Sequence, residues 1–136
     1  SGDVMRLCHW NVRKCVDPVS GACSRERVLR AVAELQPSVL TLNEVDMSAT
    51  PSLVDDLAAA GLPHASFFGH VRDVYGNLLA SAVPLRDVEH THLDGGTSVR
   101  TRDGGVHRIH RGLLSAGLSV LGVDVRLALT HLDHIS

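Results

Sequence analysis

A near-continuous apolar run, Val39 to Val45, stands one helix's length after a shorter strand-like segment, Val4 to Val12, and this pairing constrains the fold more than any other feature. Between them Val28, Leu29, Val32 and Leu35 recur at helical spacing, from Ser24, a capping residue type, to about Gln36, with Pro37 as the stop. A strand, a crossover helix and a strand make a βαβ unit, which sets the two strands parallel with their C-terminal ends on one edge. The run at 39–45 has the apolar content of a strand covered on both faces. Both strands end in polar side chains, Asn11 and Arg13 in the first, Asn43, Glu44 and Asp46 in the second. Open α/β sheets bind ligands at that edge, so topology alone brings Asn11 and Glu44 together if the strands are neighbours.

The rest of the chain changes character. Thr50-Pro51 is expected to open a second helix with Leu53, Val54 and Leu57 on its apolar face and Gly61 at its end. Strands are then expected over 64–71, 77–83 and 86–93, with Tyr75-Gly76 as a break and Pro84 as a stop. The segment 94–105 holds two Gly-Gly pairs and reads as a loop or hairpin tip; 112–118 and 122–129 read as a hairpin joined near Leu121-Gly122. This order predicts an α/β fold, one mixed sheet with helices on one face. Its other face has nothing in the chain to cover it, so the chain is expected to be incomplete or to self-associate. No repeat or linker divides residues 1–136.

Composition narrows the function classes. Hydrophobic residues make up 44% of the 136 and the formal net charge is -2, so a disordered tail and a strongly basic nucleic-acid binder are both disfavoured. An enzyme that holds phosphate beside a divalent cation need not be basic, because the metal supplies the positive charge. No apolar stretch reaches membrane length and no signal peptide is visible, and a cytoplasmic setting is the expectation. Cys8, Cys15 and Cys23 do not have zinc spacing; they read as ordinary thiols, with a Cys15–Cys23 bridge open to an exported protein.

Several positions carry candidate chemistry. Glu44, a carboxylate at a strand end beside Asn11, suits a hard cation such as magnesium, although acidic strand ends are common and a solvated loop residue is the plainer alternative. His131, at the end of an apolar strand, is placed to orient or protonate a phosphoryl oxygen, against the alternative of an exposed histidine among nine. His131 and His134 have HxxH spacing but lack the third ligand or helix of a recognised zinc motif. Arg111 offers a fork of donors to phosphate, or is a surface arginine at a strand start. Tyr75-Gly76-Asn77 has the composition of a turn.

Taken together, these segments resemble a known superfamily. Trp10-Asn11-Val12, then Pro37-Ser38-Val39-Leu40 leading to Asn43-Glu44-Val45-Asp46, are similar to the first two motifs of the endonuclease/exonuclease/phosphatase superfamily. Tyr75-Gly76-Asn77-Leu78-Leu79-Ala80-Ser81 with Val83-Pro84-Leu85, Arg111-Gly112-Leu113-Leu114 and Thr130-His131-Leu132-Asp133 resemble the next three, in the same order. The resemblance implies half of a four-layered α/β sandwich and metal-dependent hydrolysis of phosphoester bonds in the parent enzyme, on nucleic acid or a small phosphodiester. It implies Asn11 and Glu44 as ligands of Mg or Mn, His131, Arg111 and Tyr75 as catalytic residues, and Asn77 with Arg111 as substrate contacts. Asn43 stands where the superfamily most often has glutamine. The later Gly-Asp-x-Asn and Ser-Asp-His motifs are absent, and Asp133-His134 lies inside the earlier one. By the resemblance the chain is the N-terminal part of such a domain and weakly active or inactive alone. The alternative is a truncated, non-catalytic binding or regulatory module that self-associates.

Overall fold

The computed structural model describes residues 5–12, 25–93, 98–100, 102–108 and 111–130. Strand β1 (Leu7–Asn11), helix α1 (Arg25–Leu35) and strand β2 (Val39–Asp46) form the expected βαβ unit, with β1 parallel to β2 and Asn11 opposite Asn43. Helix α2 (Leu53–Ala59) starts later than expected. Thr50 turns its Oγ1 back to donate to the Asp46 carbonyl, so it closes the loop after β2 instead of capping the helix. Strands β3 (His64–Val71) and β4 (Tyr75–Ser81) complete a four-stranded sheet in the order β1-β2-β4-β3. The expected break at Tyr75-Gly76 is corrected: both residues belong to β4. The chain reverses just before them, at Arg72 and Asp73, which take φ of 52° and 61°.

Strand β5 (Arg86–Leu93) leaves this sheet and pairs with β8 (Arg111–Val120), which pairs in turn with β9 (Val123–Thr130). The β8–β9 hairpin turns at Leu121-Gly122, both at positive φ (49° and 79°), the conformation a two-residue hairpin needs. Between β5 and β8 the short strands β6 (Ser98–Arg100) and β7 (Val106–Arg108) form their own hairpin.

Two apolar clusters hold these layers. Side chains alternate across a strand, so Leu40, Leu42, Leu78 and Ala80 face α1 and α2, packing with Val28, Val32, Leu53 and Leu57. Val39, Leu79 and Phe68 face the other way and pack against Leu114, Ala116, Leu118 and Leu129 of the second sheet. An Arg25–Asp56 ion pair (2.5 Å) ties the two helices together. The α/β half-sandwich stands, but the single mixed sheet with a bare far face is corrected. The antiparallel strands after Pro84 turn away to form a second sheet, and β8 and β9 cover that face over β3 and β4. Alternating, half-polar strands such as 123–130 suit a sheet with one solvated face, which is why they separate from the apolar strands of the first.

Candidate functional site

The site is built around an irregularity in β2. Leu42 pairs with Leu78 and Val45 with Gly76, so Asn43 and Glu44 together face the single residue Asn77. This is a β-bulge, a device that re-aims side chains and bends the strand. Glu44 takes φ 57°, rare for a residue with a Cβ and strained by about 1–3 kcal/mol. Burial of Leu42 and Val45 in the helix-side core fixes the strand on either side of the bulge and holds Glu44 in that conformation.

A second bulge follows on the neighbouring pair. Phe68 pairs with Asn77 and Val71 with Tyr75, so Gly69 and His70 face Gly76 alone. The strands close tightly here; a Cβ on Gly76 would lie 1.9 Å from the Phe68 carbonyl oxygen. The result brings the start of β4 to the bulge in β2. Tyr75 donates its hydroxyl to Glu44 Oε1 at 2.9 Å. Burial, first, then the hydrogen bond to Glu44 and the charge of that carboxylate hold the Tyr75 phenol well above its usual range, with Asp46 adding to the shift. The Arg111 guanidinium works in the opposite direction, which puts it within electrostatic reach of Tyr75. Tyr75 therefore remains a donor to Glu44 at any ordinary pH.

The second sheet meets the first at this same edge. Gly112, beside Arg111 on β8, presents its carbonyl to Asn77 Nδ2 (3.2 Å) and to Thr130 Oγ1 (3.0 Å). One backbone oxygen thus joins β4, β8 and β9. A Cβ on Gly112 would come within 2.7 Å of His70 Cβ and of the Phe68 ring, so only glycine lets the sheets approach this closely. His70, buried between them, has its ring 6.4 Å from that of Tyr75.

The sequence-predicted residues are distributed as follows. Glu44 and Tyr75 are in contact, Arg111 faces them electrostatically, and Asn77 is tied to the residue after Arg111. Asn11 lies at the same sheet edge, in register with Asn43 and one residue from Glu44. Asn77 is fully buried and acts as a strut between the sheets. His131 and His134, with the HxxH reading, and Cys15 and Cys23 lie outside the described residues; Cys8 is a free thiol. Sequence reasoning gave no role to Asn43 or His70. Each sits in a two-against-one bulge, and nothing in the local sequence signals a register shift.

The donor set suits a hard cation. Among the described residues no group of three or more His, Cys, Asp or Glu side chains is gathered to hold a metal. What the bulge collects is one carboxylate and amide oxygens, the hard ligands magnesium and manganese take in small number. Two of those oxygens, Asn43 Oδ1 and Asn77 Oδ1, are buried with no hydrogen-bond partner among the described residues, as expected of groups that await a ligand. No helix of the described chain is long and apolar enough to cross a membrane.

Comparison with known proteins agrees with this geometry at the level of fold. No family model and no curated protein matches the sequence. Solved structures do. An endonuclease/exonuclease/phosphatase protein from Beutenbergia cavernae DSM 12333 is 26% identical with a TM-score of 0.66, over 94% of this chain and 38% of its own. The human Nocturnin catalytic domain with bound sulfate anion is 19% identical with a TM-score of 0.71, over 97% of this chain and 51% of its own. D. rerio TDP2 complexed with single strand DNA product is 21% identical with a TM-score of 0.66, over 96% of this chain and 47% of its own. The chain therefore spans about half or less of each of these three structures.

Proposed function

We propose, from a chain whose structural neighbours are endonuclease/exonuclease/phosphatase proteins and whose fold spans part of theirs, that it belongs to a phosphoester hydrolase assisted by magnesium or manganese. The observation that carries this reading is the Tyr75–Glu44 hydrogen bond at the strained bulge of β2, with Asn11 on the adjoining strand and Arg111 facing the pair. Asn11 and Glu44 would hold the ion, which when bound neutralises negative charge developing on the phosphoryl oxygens. Tyr75 holds one carboxylate oxygen of Glu44 in place, which fixes the rotamer of a side chain on strained backbone. Arg111, next to the Gly112 junction in β8, would offer guanidinium donors to a phosphate oxygen. His131, one residue beyond Thr130, is proposed as the group that orients or protonates that phosphate.

A phosphodiester, in nucleic acid or a small molecule, is the proposed substrate. The single strand DNA product held by D. rerio TDP2 supports the nucleic-acid alternative. The formal net charge of -2 fits a local phosphate clamp better than a broad basic track.

The test compares magnesium- and manganese-dependent hydrolysis of an aryl phosphodiester by this chain, its Glu44→Ala variant and the longest product of the same gene. Activity confined to the longer product, and reduced there by about a hundredfold or more on Glu44→Ala, is the expected result. Activity in the longer product that ignores Glu44 would remove the proposed site. A second reading, a non-catalytic module that self-associates, has one observation in its favour: Leu7 and Trp10 are exposed on β1, an edge strand. Concentration-dependent dimerisation in sedimentation, without activity in any product of the gene, would favour it.

A further inference from the structure

The buried hydroxyl groups among the described residues have partners. Thr41 Oγ1 meets His9 Nδ1 at 2.8 Å, and Thr50 donates to the Asp46 carbonyl. Ser81 Oγ accepts from Val83 N–H, and Ser115 Oγ accepts from Arg126. Two buried carboxamide oxygens break the pattern, those of Asn43 and Asn77, at 4% and 1% residue exposure; neither finds a donor among the described residues. Left so, each forfeits the hydrogen bonds that water gives it in the unfolded chain, and the two lie at one point.

That point is the bulge. Asn43 is its first residue, Glu44 its second, and Asn77 the single residue opposite. Along β2, Val39, Thr41 and Asn43 alternate onto the face that looks toward the second sheet, and Asn11 pairs with Asn43 from the other side. A row of three amides, Asn11, Asn43 and Asn77, therefore crosses three strands beside the Glu44 carboxylate. Asn77 already uses its Nδ2 on the Gly112 carbonyl, which fixes the plane of its amide. A small divalent cation gives up its hydration waters reluctantly and keeps several of them when bound to protein. Those waters are polarised donors, and buried acceptor oxygens next to the ligands are what they need.

We infer that Asn43 is a positioning residue for the cation, its carboxamide oxygen, together with that of Asn77, accepting hydrogen bonds from the ion's hydration shell beside Glu44. The site thus takes a hydrated divalent cation rather than a bare one, and the second ring of oxygens adds no charge to it. The inference rests on the reading of Asn11 and Glu44 as cation ligands, and it assigns to Asn43 a role that neither its packing nor its pairing explains.

The test uses the full 136-residue chain and Mn²⁺ alone, followed by paramagnetic broadening of backbone amide signals, which detects weak binding without turnover. In the wild-type chain broadening is expected to centre on residues 43–46 and 75–77, and Glu44→Ala is expected to remove it. Asn43→Leu discards the orphaned oxygen, so the metal-free variant is expected to melt no lower than wild type while needing about tenfold or more Mn²⁺ for the same broadening. Asn43→Asp keeps the shape, adds a charge and is expected to need less Mn²⁺ than wild type. If Asn43→Leu binds as wild type does, or if it fails to fold and Asn43→Asp binds no more tightly than wild type, the inference is overturned while the Glu44 reading stands. Wild-type broadening absent, or unchanged by Glu44→Ala, overturns the cation reading itself.

Discussion

Two side chains decide the character of the site. Glu44 holds a left-handed backbone conformation that glycine would adopt without strain. Glu44→Gly is therefore expected to stabilise the chain by about 1 kcal/mol while removing cation binding, and urea denaturation beside a Mn²⁺ titration checks both. A loss of stability would mean that Glu44 is held for packing. Tyr75 supplies a pH signature. Its phenol is pushed above the usual 10.0 by burial and by Glu44, so the folded chain keeps a proton that the unfolded chain releases. That contribution is complete below about pH 10 and is lost as pH rises above it. Tyr75 is the only tyrosine, so phenolate absorbance is expected to rise together with alkaline unfolding, and Tyr75→Phe to move that unfolding to higher pH. Phenolate formation in a chain that remains folded would contradict the buried, Glu44-bonded hydroxyl.

At the scale of elements, the paired bulges matter more than the strands that carry them. The βαβ unit was legible because its signals are local: helical spacing from Val28 to Leu35, an apolar run at 39–45 and Pro37 between them. The β8–β9 hairpin was legible from Leu121-Gly122 and the alternation after it. Register shifts leave no such trace, since they arise where cross-strand packing on both sides outweighs one missing ladder bond. For that reason Tyr75-Gly76 read as a turn, although the pair lies inside β4 and delivers Tyr75 to Glu44. Gly76→Ala is expected to cost about 1–3 kcal/mol, because the new methyl meets the Phe68 carbonyl, which has no room to retreat. The same variant is expected to weaken Mn²⁺ binding through the displaced Tyr75. Normal stability in a melt would contradict the close approach of β3 and β4 at Gly76.

For the molecule as a whole, the two sheets meet beside the candidate site, and Gly112 is a point of close approach between them. Gly112→Ala is expected to separate β8 from Phe68 and His70, to lower stability by about 1–3 kcal/mol and to weaken the Asn77 and Thr130 bonds to its carbonyl. Loss of amide-exchange protection at Asn77 and Thr130, ahead of global unfolding, is the measurement that checks this. By itself the sequence determined the α/β class, the first parallel pair, the edge on which Asn11 and Glu44 fall and the five ordered segments that resemble one superfamily. These follow from periodicity and chain order, which are local or topological. Only the tertiary structure decided that the later strands form a second sheet over the first, that Asn77 is a buried strut, that Tyr75 holds Glu44 and that the Asn43 carboxamide oxygen is buried without a donor among the described residues. Each of those depends on which side chains meet across strands and sheets, and contacts between residues some thirty positions apart leave no pattern along the chain.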